Sequence, residues 1–221
     1  MLSGKVVVVT GANGALGRVA CELATQLGAQ VIALDLRFDG APGTGQYALD
    51  LTDASATAAC VATLGHIDVV LNIAGGFDMG PTVHETTAAQ WDHMTQMNVV
   101  TARNMVAAVV PGMLVRARGS IVNVGALSAR EGQANMGAYC VAKSTVMRLT
   151  ESLSKELRAK GINVNAVLPS IIDTPTNRRD MPDADYSRWV APQDLAQVMC
   201  FLGSDAARAI HGALLPVAGL A

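Results

Sequence analysis

Short runs of β-branched and apolar residues alternate with longer Ala- and Leu-rich stretches along the chain. Val6–Thr10, Val31–Asp35, Tyr47–Leu49, Val69–Ile73, Ser120–Val124, Ile162–Leu168 and Leu214–Val217 read as strands. They are nearly all apolar instead of alternating, the pattern of strands covered on both faces. Ala15–Leu27, Asp53–Leu64, Ala88–Val110, Gly137–Lys160 and Pro192–Leu202 read as helices. Gly28, Gly65 and Gly161 each follow a helical run, where a residue free to turn left-handed closes a helix. Strand–helix alternation predicts an α/β fold with right-handed crossovers. The expected architecture is a single doubly wound, Rossmann-type domain over residues 1–221, with a parallel seven-stranded sheet flanked by helices. One segment, 170–191, breaks the rhythm with four Asp and no periodicity. A long irregular stretch in a compact domain is usually functional, so it reads as a lid or substrate loop.

Composition narrows the function classes. The 221 residues are 51% apolar and 15% charged, which excludes a disordered chain. A formal net charge of −2 provides no field to gather nucleic acid or anionic lipid, and eight aromatics make no base-stacking platform. No run reaches the ~18 uninterrupted apolar residues of a membrane span. Cys21, Cys60, Cys140 and Cys200 are scattered, without C-x-x-C or metal-spaced histidines, so no metal site is expected. Their sparseness suits a reducing compartment, and the expectation is a cytoplasmic protein.

The first strand ends in Thr10-Gly11-Ala12-Asn13-Gly14-Ala15-Leu16-Gly17 and opens a helix. Glycines here let the backbone turn sharply and approach a pyrophosphate, whose charge the free N–H groups of the first helical turn can hold. Asp35 follows eighteen residues after Gly17, at the end of the second strand. A carboxylate there accepts both hydroxyls of an adenosine ribose and repels a 2′-phosphate. NADH is therefore expected over NADPH, while Arg37 offers a phosphate the alternative contact. The bland reading is a tight turn with Asp35 capping a strand end.

Tyr139 and Lys143 lie one turn apart at the start of a helical run. A tyrosine with an ordinary pKa near ~10 is a poor acid–base at neutral pH, and a neighbouring ammonium favours its anion. That pair is expected to move a proton. By chance alone it would be a solvated helix face.

Together, Thr10–Gly17, Asp35, Asn72-Ile73-Ala74-Gly75, Asn98, Tyr139 with Lys143, and Pro169-Ser170-Ile171-Ile172-Asp173-Thr174 resemble the short-chain dehydrogenase/reductase family over almost the whole chain. The resemblance implies a nicotinamide cofactor touched by Gly11, Asn13, Gly14, Ala15, Leu16 and Gly17 on the turn, and by Asp35 and Leu36 after the second strand. Asp50 and Leu51 would meet the adenine. Asn72, Ala74 and Gly75 would line the cofactor, Lys143 and Tyr139 would reach the nicotinamide ribose, and Pro169, Ile172 and Thr174 would fix the carboxamide. Asn98 would hold a water in a proton relay ending at Lys143. The bland alternatives are buried-backbone partners for Asn72 and Asn98, and a turn at Thr174-Pro175. The family also implies a homodimer or homotetramer paired through Gly137–Lys160, with Ala142, Val146, Leu149 and Leu153 on one side, or else that side packs on its own sheet.

Two positions depart from the family pattern. Ala15 stands where the second glycine is usual, and Ala126, thirteen residues before Tyr139, stands where the catalytic serine is expected. Ser128, a water or a substrate needing no second donor would fill the gap. The dihydropteridine reductase branch resembles this chain at both positions, at Ala74-Gly75-Gly76-Phe77 and along residues 166–189. The expected activity is hydride transfer to a conjugated C=N substrate of the quinonoid dihydropterin kind, or to a carbonyl, with Tyr139 as proton donor. The alternatives are a ketone/secondary-alcohol oxidoreductase using Ser128 or water, and a dinucleotide-binding regulator without catalysis. Met181, Tyr186, Trp189, Phe77, Met79 and Met136 are candidates for an apolar pocket wall. Tyr186 and Trp189 read equally well as anchors of the loop, and Arg178 and Arg179 as a solvated charge cluster or as partners of Asp173, Asp180 or a substrate anion. His66, His84, His93 and His211 are isolated from one another.

Overall fold

The computed structural model describes residues 1–220. Seven strands, β1 (Val6–Thr10), β2 (Gln30–Asp35), β3 (Gln46–Ala48), β4 (Val69–Asn72), β5 (Gly119–Val124), β6 (Ile162–Pro169) and β7 (Leu214–Val217), form one sheet in the order β3-β2-β1-β4-β5-β6-β7. Every ladder is parallel: Val8 on β1 registers with Ile32 on β2 and with Val70 on β4. The strand order reverses between β1 and β4. In open sheets of this kind, ligands bind at that switch point, beyond the carboxyl ends of the strands.

Side chains alternate across the sheet, so one strand feeds two cores. Val7 and Val9 join Leu71 and Val122 under α1 (Ala15–Gln26) and α7 (Pro192–Leu202), with Ala20, Ala24, Leu195 and Met199. Val6 and Val8 join Ile32, Val70, Ile121 and Val164 on the opposite face. That face is covered by α2 (Ala54–Thr63), α4 (Thr101–Arg116) and α5 (Gly137–Leu157). The predicted helix-closing glycines do turn left-handed, Gly28 at φ +89°, Gly65 at +73° and Gly161 at +77°.

Two elements differ from the sequence reading. The helix expected to end at Val110 runs from α3 (Ala88–Thr95) through a π turn, Gln96–Val100, into α4 and on to Arg116. Pro111 lies inside this helix although it donates no N–H to the preceding turn. Here Met113, wholly buried, holds the last turn against the core. At 29 residues, Ala88–Arg116 passes for a membrane span by length and composition, but its apolar residues Met94, Met105, Val109 and Met113 are buried within the protein.

The second difference is the segment 170–191, which is built rather than irregular. Thr174 caps a six-residue helix, α6 (Pro175–Asp180), accepting the Asn177 N–H at 3.2 Å. Ile172 bridges Val190, and Arg178 grips Asp173 with two bonds of 2.5 and 2.7 Å. The Arg178 guanidinium lies 4.7 Å over the Tyr186 ring, which tilts against Trp189 at 4.8 Å. Trp189 is buried, so this stack anchors the segment to the body. Residues 36–45 link β2 to β3 without a helix, and β3 is exposed throughout.

Candidate active site

The turn after β1 is closed on one side and open on the other. Thr10 Oγ1 accepts the N–H groups of Ile73 and Ala74, both at 3.0 Å, pinning the end of β1 to the chain beyond β4. Gly11 has φ +65°, and a Cβ there would lie 2.9 Å from the Ala74 backbone. A Cβ on Gly17 would stand 2.0 Å from the Gly11 carbonyl oxygen. At Gly14 the only neighbour is the same oxygen at 3.3 Å, so the outer face of the turn is free. α1 opens at Ala15 with no side-chain cap, so its first N–H groups remain available to an anion. Leu16 is buried beneath this turn.

Asp35 ends β2 beside the glycine turn, its Oδ2 accepting the Asn13 N–H at 2.8 Å. Leu36 follows, two-thirds exposed. Asp50 accepts from Thr52 N–H and Oγ1 at 2.9 and 2.7 Å, bonds that hold its carboxyl below the usual range. The Leu51 side chain belongs to the core, and its carbonyl accepts from Asn104 at 2.9 Å, leaving its backbone edge as its contribution to the site.

α5 carries the second half. Lys143 is buried, and its Nζ donates to the Val124 carbonyl at 3.0 Å. Desolvation brings its pKa down to about 8. Asn98, on the π turn, is held at both ends. Its Nδ2 donates to the Met94 carbonyl at 3.1 Å, and its Oδ1 accepts the Gly76 N–H at 3.1 Å. Ala74 and Gly75 run between these groups and the glycine turn. Tyr139 meets the Phe77 ring edge-on, with centroids 4.9 Å apart and planes at 81°. It also packs beside Ala126, Met147 and Leu168. Burial, and then the neighbouring Cys140, push its pKa up to about 12. The expected lowering of the phenol is thus reversed within the chain itself, because apolar surroundings disfavour the anion and the Lys143 donor is directed to a carbonyl. The Tyr139 hydroxyl makes no hydrogen bond among the described residues.

Ala126 is 3% exposed and sits in the same apolar cluster. Ser128 lies half-buried on the 3-10 turn Leu127–Arg130, its carbonyl accepting from Cys140 Sγ at 3.7 Å. A hollow beside Tyr139 is lined by Asp78, Pro81, Gln90, Asn135 and Met136. Phe77 and Met79 stand more than half exposed. Pro169 ends β6, the Ile172 carbonyl accepts from Asn177 Nδ2 at 2.8 Å, and Thr174 Oγ1 is engaged as the α6 cap. No histidine lines this hollow, and no group of three metal-ligating side chains occurs among the described residues.

Two structural residues of the site were not foreseen. Asn72 Nδ2 donates to Asn123 Oδ1 at 2.9 Å, and Asn123 Nδ2 donates to Thr150 Oγ1 at 2.9 Å, so a buried polar string ties β4 and β5 to α5. An asparagine inside an otherwise apolar strand was the available signal, since a buried amide must find partners. The Asn72 Oδ1 atom is buried without a partner.

A turn that excludes side chains on two glycines, opens at a third and leaves helix N–H groups free fits a dinucleotide. Fold and site therefore define an oxidoreductase dependent on NAD or NADP. The chain belongs to the short-chain dehydrogenase family, whose model matches residues 5–185. It is 31% identical to a 3-oxoacyl-[acyl-carrier-protein] reductase of Vibrio harveyi, over 99% of this chain and 97% of the relative. A Beutenbergia cavernae structure described as an NAD(P)-dependent gluconate 5-dehydrogenase, with bound NADP, superposes with a TM-score of 0.90 at 28% identity. That match covers 99% of this chain and 96% of the other. Carveol dehydrogenase of Mycobacterium avium in complex with NAD gives 0.87 at 27%, over 99% and 97%.

Proposed function

We propose that the protein is an NADH-dependent reductase of a small conjugated C=N substrate, dihydropterin-like in its chemistry, with Tyr139 as proton donor. Gly11, Asn13, Gly14, Ala15, Leu16 and Gly17 would hold the pyrophosphate. Asp35 and Leu36 would hold the adenosine ribose, and Asp50 and Leu51 the adenine. Asn72, Ala74, Gly75, Pro169, Ile172 and Thr174 would line the nicotinamide half. When bound, the reduced nicotinamide supplies the hydride to the substrate carbon.

Tyr139 supplies the proton. A phenol held near 12 stays protonated at neutral pH, so it arrives as the acid a reduction needs. As the substrate nitrogen takes that proton, the Lys143 ammonium stabilises the phenolate. Lys143 and Asn98 then return a proton from solvent. The observation that carries the C=N reading is Ala126, buried in an apolar cluster with Tyr139 where a second hydroxyl donor would be expected. A ketone becoming an alkoxide concentrates charge on one oxygen and gains from two donors. A conjugated C=N system spreads that charge, so one donor suffices.

A second reading is a ketone/secondary-alcohol oxidoreductase in which Ser128 or a water replaces the serine. It is supported by Ser128 lying on the turn next to Ala126. Its relatives' names, a 3-oxoacyl reductase and two dehydrogenases of alcohols, point the same way.

The reading includes a homodimer or homotetramer in the cytoplasm, supported by the four free cysteines and by Val141, exposed on α5. Ala142 and Val146 on the same helix are buried within the chain's own body. Following NADH consumption at 340 nm with a dihydropterin and a ketone panel tests the proposal. Turnover of the dihydropterin supports it. Brisk ketone reduction with no dihydropterin turnover selects the second reading, and no turnover of anything selects a non-catalytic dinucleotide-binding regulator.

A further inference from the structure

At the adenosine end of the cradle, three charged side chains, Asp35, Arg18 and Asp39, are strung together through the Asn13 backbone. Asp35 Oδ2 accepts the Asn13 N–H at 2.8 Å. The Asn13 carbonyl accepts Arg18 Nε at 2.8 Å. Arg18 then reaches across with Nη2 to Asp39 Oδ2 at 2.5 Å. Asp39 sits on the 36–45 crossover, the one without a helix, and Arg37 sits on the same segment. Arg18, helped by Asn13 and Arg37, holds the Asp39 carboxyl below the usual range. Arg18 is thus tied by one nitrogen to the turn that carries the pyrophosphate site and by another to a carboxylate outside it.

A 2′-phosphate on the adenosine ribose needs a cation, and in this fold a nearby arginine commonly provides it. Arg18 is placed for that contact, one residue beyond Gly17 and bonded to the Asn13 backbone. We propose that Asp39 biases cofactor choice by sequestering Arg18, so that a 2′-phosphate facing Asp35 is left with the exposed Arg37 alone to offset it. The proposal rests on the NADH reading above. It assigns the selectivity to two carboxylates rather than to Asp35 alone: Asp35 repels the phosphate, and Asp39 withholds the counter-charge. The Arg18–Asp39 pair is largely exposed, and exposed ion pairs add little to stability, so its removal should leave the fold intact.

Isothermal titration of the whole protein with adenosine 5′-monophosphate and with adenosine 2′,5′-bisphosphate reads this without turnover. The wild-type protein should bind the monophosphate more tightly. Asp39→Asn should strengthen bisphosphate binding by about 5- to 10-fold, the scale of one added charge-assisted contact, with the monophosphate shifted less than about 2-fold. Adding Arg18→Gln to Asp39→Asn should abolish the gain. Equal shifts for both ligands, no shift, or a gain surviving in the double variant would each overturn the role of Asp39 and Arg18. A wild-type protein that prefers the bisphosphate defeats the NADH preference itself, and one that binds neither ligand defeats the dinucleotide site.

Discussion

Asn98 on the π turn and Lys143 on α5 converge on one point of backbone. A methyl group on Gly75 would lie 2.6 Å from Asn98 Oδ1 and 3.1 Å from Lys143 Nζ. Asn98 is pinned through both ends of its amide, so it has no slack to yield. Gly75→Ala should therefore displace the relay groups. Overpacking of a rigid site costs about 1–3 kcal/mol, and displacing catalytic groups by about an ångström costs about 10²-fold in rate. Thermal melts and steady-state kinetics measure the two effects; a variant with wild-type kcat would show that the convergence is incidental.

Lys143 offers a pH test of stability. Its pKa in the folded chain, about 8, lies below the 10.5 of the free side chain. Between those values the unfolded chain binds the extra proton, so this group makes stability rise with pH across that window. Below pH 8 the full cost of the buried charge is present. Lys143→Met should stabilise the chain without cofactor at pH 7, by no more than about 3 kcal/mol at about 1.4 per pKa unit, less the lost bond to Val124. The advantage should shrink as pH rises from 8 to 10.5. Denaturant titrations at pH 7 and pH 10 give the comparison, and a variant less stable at pH 7 than at pH 10 relative to wild type contradicts it.

Much of the fold was legible because its strands are buried on both faces and its helices are closed by glycine. What escaped notice did so for identifiable reasons. Pro111 is a local signal, and the burial of Met113 that overrides it is tertiary. The six-residue α6 is too short to show a period, although Thr174-Pro175 is a helix-start signature. In the candidate site, the glycine turn, Asp35 and the Tyr139–Lys143 spacing are legible as residue types at fixed places along an element, and Asn98 through the family resemblance. Their partners are not. The Val124 and Met94 carbonyls and the Thr10 hydroxyl act through backbone geometry that sequence does not display. The direction of the Tyr139 shift was misjudged because burial beside Phe77 and Met147 outweighs a cation engaged elsewhere.

Ala126→Ser adds a hydroxyl next to Tyr139 within an apolar cluster. If one donor suits a conjugated C=N substrate, the new donor should raise the ratio of ketone to C=N turnover by about 10-fold, a fraction of the roughly 10²–10³-fold that losing a preorganised transition-state donor costs. Parallel kcat/KM measurements on both substrate types provide the ratio. An unchanged ratio would remove Ala126 as the determinant of substrate chemistry.

The most direct measurement is Tyr139→Phe, which deletes one oxygen and keeps the ring against Phe77. Turnover should fall by roughly 10²–10⁴-fold, the usual contribution of a positioned proton donor, while NADH titration gives an affinity close to wild type. Activity within a few-fold of wild type, with NADH still bound, would show that the proton comes from elsewhere and would contradict the mechanism.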